Sequence, residues 1–158
     1  MSAHVLVRVP GKINLQLSVG PLQKDGFHPV ATVFQAVSIF DDVKVELNDD
    51  GLVHVQSTAK TNNHLPLDKE NLAAKAVELM RKKFDISDGI TITLTKEIPI
   101  AGGMAGGSAN AGAAIVGMDA LFNLGLKRND MEKIGAELGA DVPFTISGGT
   151  AIGTGKGD

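Results

Sequence analysis

Between Ile98 and Ala114 the chain reads IPIAGGMAGGSANAGAA, and no other stretch limits the fold as tightly. Ordering Gly102, Gly103, Gly106 and Gly107 costs backbone entropy and returns no side-chain packing, so the bare backbone itself must be in use. Ahead of it Ile90, Ile92 and Leu94 alternate as a strand ending at Pro99. After it, small residues open a helix expected from about Ser108 to Phe122, stopped near Gly125. A strand that feeds a helix through glycines places unpaired N–H groups, and the positive end of the helix dipole, where an anion can be received. Local pattern leaves a phosphate cradle on one side, and on the other a flexible turn or a close helix–sheet contact. Two common phosphate loops are excluded. A Walker loop ends in Gly-Lys-Ser/Thr, and no lysine stands between Gly107 and Ser108; no register gives the dinucleotide spacing G-x-G-x-x-G.

The rest of the chain supplies the sheet. Val5, Val7 and Val9 alternate before Pro10-Gly11-Lys12, and Ile13, Leu15, Leu17 and Val19 alternate after it. A turn at KDGFH precedes an apolar strand from about Val30 to Phe40. Val43, Val45 and Leu47 then run to an NDDG turn, with Val53 and Val55 on the return. A polar loop leads to a helix begun near Asp68, carrying Leu72, Ala76, Leu79 and Met80 on one face. A later helix is expected from about Asn129, with Glu132 in a capping box, to Leu138 and a stop at Gly139. The tail FTISGGTAIGTGKGD has the look of a hairpin. Strands first, then helices among strands, predict an α+β fold in which helices cover a mixed sheet.

Composition narrows the function. The 158 residues suit one domain, and with no cysteine neither disulfides nor thiolate metal sites can form; a cytoplasmic setting is expected. A net charge of −3, and six phenylalanines as the only aromatics, argue against a nucleic-acid surface. No apolar run reaches the ~20 residues of a membrane span, and MSAHVLVRVPGK is no targeting segment. His4, His54 and His64 lack ligand spacing, so no metal site is expected from the protein alone.

Several polar residues stand out, each with two readings. Period-2 alternation puts Lys12, Asn14 and Gln16 on one face, so Lys12 and Asn14 either point together at a ligand or Lys12 is a surface lysine beside a turn. Asp141 either serves chemistry or caps a short turn before Val142-Pro143. Ser108 either caps its helix or offers a hydroxyl to a phosphate or Mg²⁺. Phe27 and His28, past the Asp25-Gly26 turn, either meet a ligand or pack the turn. Asn71 opens the first helix.

The glycine stretch resembles the ATP motif of the GHMP kinases, Pro-x-x-x-Gly-Leu-Gly-x-Ser-Ser-Ala, in a longer, glycine-enriched form. PGKINLQLSVG, KDGFHPVATVFQAV and LGADVPFTISGGTAIGTGKGD resemble that family in matching order, closest to its branch acting on a cytidine-diphosphate-linked methylerythritol. Met104-Ala105 stands where Leu-Gly is usual, and Ala109 replaces the second serine. The resemblance implies ATP binding by Pro99, Ile100, Ala101, Gly102, Gly103, Met104, Ala105, Gly106, Gly107, Ser108 and Ala109, with Asn71 on the adenine side and Mg²⁺ arriving with the nucleotide. It implies catalytic roles for Lys12 and Asp141. Asn14, Phe27 and His28 are implied to contact the small-molecule substrate, the last two beside its cytosine. It further implies the family's N-terminal domain fold with a left-handed β-α-β crossover, where general rules expect a right-handed one. A second, C-terminal domain that this chain lacks is implied as well. Homoserine and mevalonate kinases are the rivals inside the family, disfavoured by DGFH; an RNA-binding module of similar layout is the rival outside it.

Overall fold

The computed structural model describes residues 3–22, 26, 28–58 and 65–155. Its longest element is β2 (Val30–Asn48), whose 19 residues run beside β1 (His4–Val19) in antiparallel register along nearly their whole length. The other edge of β2 is divided. Asp42 to Asn48 pair antiparallel with β4 (Gly89–Thr95), and Val30 to Gln35 pair antiparallel with β5 (Thr150–Gly155). The sheet order is β1-β2-β4-β3, with β3 (Val53–Ser57) parallel to β4. The fold is thus a mixed sheet covered by helices, as the order of elements predicts.

Four helices complete it: α1 (Leu72–Phe84), α2 (Gly106–Phe122), α3 (Arg128–Ala136) and α4 (Val142–Ser147). The core lies between sheet and helices. Val43, Val45, Ile90, Ile92 and Leu94 meet Ala76, Val77 and Met80 of α1 and Ala111, Ala114, Ile115 and Met118 of α2, all wholly buried. The alanines and glycines of α2 let it lie close to its neighbours. An added Cβ on Gly117 would stand 2.6 Å from Val45 Cγ2, and one on Gly112 only 2.3 Å from Thr145 Oγ1 on α4.

Irregular pairing decides which side chains of β1 face the helices. Val9 and Lys12 are both buried, though three residues apart in a regular strand they would point to opposite faces. Register shifts between Pro10, opposite Phe40, and Lys12, opposite Ala36, and this turns Lys12 inward. A second shift pairs Asn14 with Phe34 but Gln16 with Val33. Phe34 and Val33 are consecutive, so Gln16 lies on the face opposite Asn14, correcting the expected shared face of Lys12, Asn14 and Gln16.

Five other expectations change. β3 does not return beside β2 across the NDDG turn, because β4 lies between them and pairs with both. Pro10-Gly11-Lys12 is not a turn, because β1 runs through it. The first helix starts at Leu72 with Asn71 as its cap, not near Asp68. The third starts at Arg128, its cap Lys127 makes no side-chain bond, and Glu132 instead accepts a hydrogen bond from the Ser147 hydroxyl. The tail is no hairpin. Pro143 in its first turn favours helix α4, Gly148 and Gly149 at positive φ break it, and β5 finds its partner in the distant β2.

Two measurements check this packing. Gly117→Val forces a branched side chain against Val45 and is expected to lower unfolding stability by about 1–3 kcal/mol, read as a lower urea midpoint. On the sheet surface Arg8 donates paired hydrogen bonds of 2.8 and 2.9 Å to Asp42, which hold the Asp42 carboxyl below its ordinary pKa. A depressed carboxyl adds stability above its unfolded pKa of ~4 and loses it as pH falls through the lower folded value. The stability difference between parent and Asp42→Asn is therefore expected to be small at pH 7 and to vanish in acid below that range.

Candidate active site

The glycine stretch forms the wall of a trough. Residues 101–108 line a cavity of about 360 Å³ together with Leu72, Pro99 and Asp141. A neighbouring cavity of about 290 Å³ shares Leu72, Pro99, Ala101, Gly106 and Gly107 with it and adds Ile100, Asn71 and Asn110. The two adjoin along these shared residues. The first is lined largely by backbone, the second by larger side chains.

Local conformation shows why the loop can present its backbone. Gly103 has φ 72°, with open space where a Cβ would sit. Ala101 and Ala105 also take the left-handed region, at φ 58° and 56°, and Ala105 is the residue from which α2 starts. An L-residue there carries strain of roughly 1–2 kcal/mol. The amides of Gly106, Gly107 and Ser108 have no carbonyl four residues back within the helix, whereas that of Ala109 bonds to Ala105 O at 2.8 Å. Three adjacent N–H groups at a helix start suit a phosphate.

Of the expected loop residues, Ala109 is the correction: it is wholly buried in the core and lines neither cavity. Ser108 does not cap its helix, since it sits inside the first turn, so its hydroxyl remains for the cavity. Gly106 is not at positive φ. Its missing Cβ is required by Lys96 Nζ and Ile98 Cγ2, which would lie 3.1 and 3.2 Å away. Asn71 is a helix cap: its Oδ1 accepts from Ala73 N–H at 2.9 Å and its Nδ2 donates to Pro66 O at 2.7 Å. It borders the second cavity with one amide hydrogen left over.

Lys12 and Asp141 come together. Lys12, only 6 % exposed, is no surface lysine. Its Nζ lies 3.6 Å from Asp141 Oδ2, donates to Asn14 Oδ1 at 2.8 Å, and sits 5.0 Å from the centre of the Phe34 ring. Asn14 is itself oriented, because its Nδ2 donates to Thr32 Oγ1 at 2.6 Å and Thr32 donates on to Gln16 O. Asp141 precedes α4 without forming a side-chain cap and is 35 % exposed on the cavity wall. Gly112 allows α4 to approach closely enough for Thr145 Oγ1 to donate to Ser108 O at 3.2 Å, which sets Asp141 beside the glycine loop. The Lys12 amide also donates to Met104 O at 3.1 Å, tying the loop to the strand that carries the lysine.

His28 is exposed, and its Nδ1 donates to Gly20 O at 2.8 Å. In the neutral ring this leaves Nε2 as an acceptor. Phe27 lies outside the described residues, as does His64. Phe34 and Thr32, which hold Lys12 and Asn14 from behind, were not singled out in the sequence. Their alternation on the strand facing Lys12 is the signal that could have found them.

The strain at Ala105 is measurable. Ala105→Gly relieves it while giving back unfolded-state entropy worth about 0.4–1 kcal/mol, so stability is expected to rise by up to ~1 kcal/mol in a thermal melt.

With the geometry established, known proteins can be set beside it. A family model described as "GHMP kinases N terminal domain" matches residues 71–149. The chain is 48% identical over 157 residues to the 4-diphosphocytidyl-2-C-methyl-D-erythritol kinase of Mycolicibacterium vanbaalenii, covering 99% of this chain and 48% of that relative. It is 47% identical to the enzyme of the same name from Leifsonia xyli, over 98% of this chain and 50% of that one. The chain thus spans about half the length of the curated relatives it matches. A crystal structure of 4-(cytidine 5'-diphospho)-2C-methyl-D-erythritol kinase superposes with a TM-score of 0.78 at 30% identity, over 98% of this chain and 53% of that chain. Homoserine kinase from Cytophaga hutchinsonii, at TM-score 0.72 and 22% identity over 94% of this chain and 48% of that one, shares the fold. The matched segment is the one that builds the trough and carries Asp141, and the chain belongs to the GHMP kinase family.

Proposed function

We propose that this chain is the ATP-binding part of a kinase that phosphorylates the 2-hydroxyl of 4-diphosphocytidyl-2-C-methyl-D-erythritol, in the non-mevalonate route to isoprenoid precursors. The observation that carries the reading is the Lys12–Asp141 approach at 3.6 Å on the edge of a glycine-lined trough. The relatives' names supply the substrate, and the acceptor geometry of His28 suits the exocyclic amine of cytosine.

Each residue then has a physical task. The amides of Gly106, Gly107 and Ser108 receive phosphate oxygens, and residues 99–101 with Asn71 border the adenosine side. ATP with its Mg²⁺ supplies the phosphoryl group and neutralises charge on it. Ser108 is the one side-chain hydroxyl of the loop, and we assign it to the nucleotide phosphates or their metal. Asp141 accepts the hydrogen bond of the substrate hydroxyl, aligns it, and takes its proton as the new P–O bond forms and the bond from the γ-phosphorus to the β,γ-bridging oxygen breaks, with ADP as the leaving group. Lys12 is held by Asn14 and Phe34 so that its ammonium faces both Asp141 and the transferring group. Asn14 and His28, together with Phe27, its neighbour in sequence, serve the alcohol substrate.

We further propose that residues 1–158 form one domain of a longer polypeptide whose remainder closes the site in the cytoplasm. Leu17 and Val19, 55 and 59 % exposed on the sheet face that also carries Asn14, offer apolar surface suited to such cover. Among the described residues no helix is long and apolar enough to cross a membrane.

The test is phosphate transfer from ATP to the cytidine substrate, homoserine and mevalonate, in the polypeptide extended to its relatives' length. Transfer to the cytidine substrate alone is expected, and Asp141→Asn should cut turnover at least ~10²-fold while nucleotide affinity stays within a few-fold. Preference for another alcohol, or near-parental turnover in Asp141→Asn, would overturn the assignment.

A further inference from the structure

Three polar side chains that the proposed chemistry does not use lie buried beneath the glycine loop. Asp41 of β2 is wholly inaccessible, Asn110 of α2 is 2 % exposed, and the side chain of Lys96, just past β4, is 4 % exposed. They close a ring. Asp41 Oδ2 accepts from Lys96 Nζ and from Asn110 Nδ2 at 2.8 Å, and Lys96 Nζ donates also to Asn110 Oδ1 at 2.9 Å. The other carboxylate oxygen, Oδ1, accepts from the backbone N–H groups of Glu97 at 2.8 Å and Ile98 at 2.9 Å.

Stability alone does not account for this ring. A buried ion pair gains little or nothing over apolar residues of similar volume, because both charges must be desolvated. What apolar residues cannot do is bond the two amides that immediately precede Pro99, or tie them to the second turn of α2. The chain leaves the sheet after Thr95, passes Glu97 and Ile98 into the loop, and re-enters regular structure at Gly106. Asp41 grips the departing end through Glu97 and Ile98. Asn110 grips the returning end, and Lys96 lies under Gly106, where an added Cβ would stand 3.1 Å from its Nζ.

We infer that Asp41, Lys96 and Asn110 are positioning residues for the nucleotide: they fix the distance between the two ends of the loop, and so aim the amides of Gly106, Gly107 and Ser108 into the trough. The inference rests on the reading of that trough as a phosphate site. It predicts that removing the ring loosens the loop even where global stability is preserved.

The decisive variant replaces both charges by apolar residues, Asp41→Leu with Lys96→Met. Asn110→Leu, which keeps the ion pair and cuts the link to α2, is the second variant should the first fail to fold. Three quantities are compared with the parent 158-residue chain: the thermal midpoint, amide hydrogen exchange residue by residue, and the Kd for trinitrophenyl-ATP with Mg²⁺. The expected result is a variant melting within a few degrees of the parent. Its amides from Glu97 to Ser108 should exchange at least ~10-fold faster while those of β4 and α1 keep parental rates, and its Kd should rise at least ~10-fold where the parent binds the probe. Parental exchange in the loop of a folded variant would overturn the inference, as would a uniform rise across the core, which would make the ring a stability element only. Failure of the parent itself to bind the probe would count against the nucleotide reading, and exchange would still show whether the ring positions the loop.

Discussion

The fold turns on the division of one strand edge. Strand β2 can offer its second edge to only one neighbour at a time, and it gives the segment Asp42–Asn48 to β4 and Val30–Gln35 to β5. Where β4 must leave, after Thr95 opposite Asp42, its next amides lose their ladder partners. Asp41 meets that need with its own carboxylate, so the end of pairing becomes an ordered exit and not a frayed one. The candidate site's trough lies at this fork: the glycine loop fills it, α2 starts behind it, and the irregular pairing of β1 turns Lys12 toward it.

Much of the site was legible because its signals are chemical and local. Four glycines between a strand and a run of small residues have few uses besides baring backbone, and that loop lines the trough. Lys12 and Asp141 stood out only as isolated charges with bland alternatives, and family likeness tipped them; their approach depends on contacts 129 residues apart along the chain, set by Gly112 and Thr145. Alternation located β2, β3 and β4, though it broke β2 near Phe40 where the strand runs on to Asn48, and carried β4 to Pro99 where it ends at Thr95. It failed for Gln16, because a bulge shifts the phase of the pattern without leaving a mark on composition.

Other parts were illegible for physical reasons. Thr145, Ile146 and Ser147 have the composition of a strand, yet tertiary contact with α2 holds them in α4. Asn129 and Glu132 have capping-box spacing, but Glu132 is engaged by Ser147 from another helix. Asp41 and Lys96 stand beside Asp42 and Glu97 respectively, and such a charged pair at the edge of an apolar run reads as a strand end facing water. Only the three-dimensional fork reveals that each is the other's partner.

Ala101 and Ala105 also set how the loop responds to heat. Holding an alanine in the left-handed region is an enthalpic strain, whereas the restriction an alanine places on the unfolded chain is entropic and grows in weight with absolute temperature. A loop built this way closes part of the gap to an all-glycine loop as the temperature rises. The balance between strained order and free backbone in this cradle is therefore a thermal setting, written in two methyl groups.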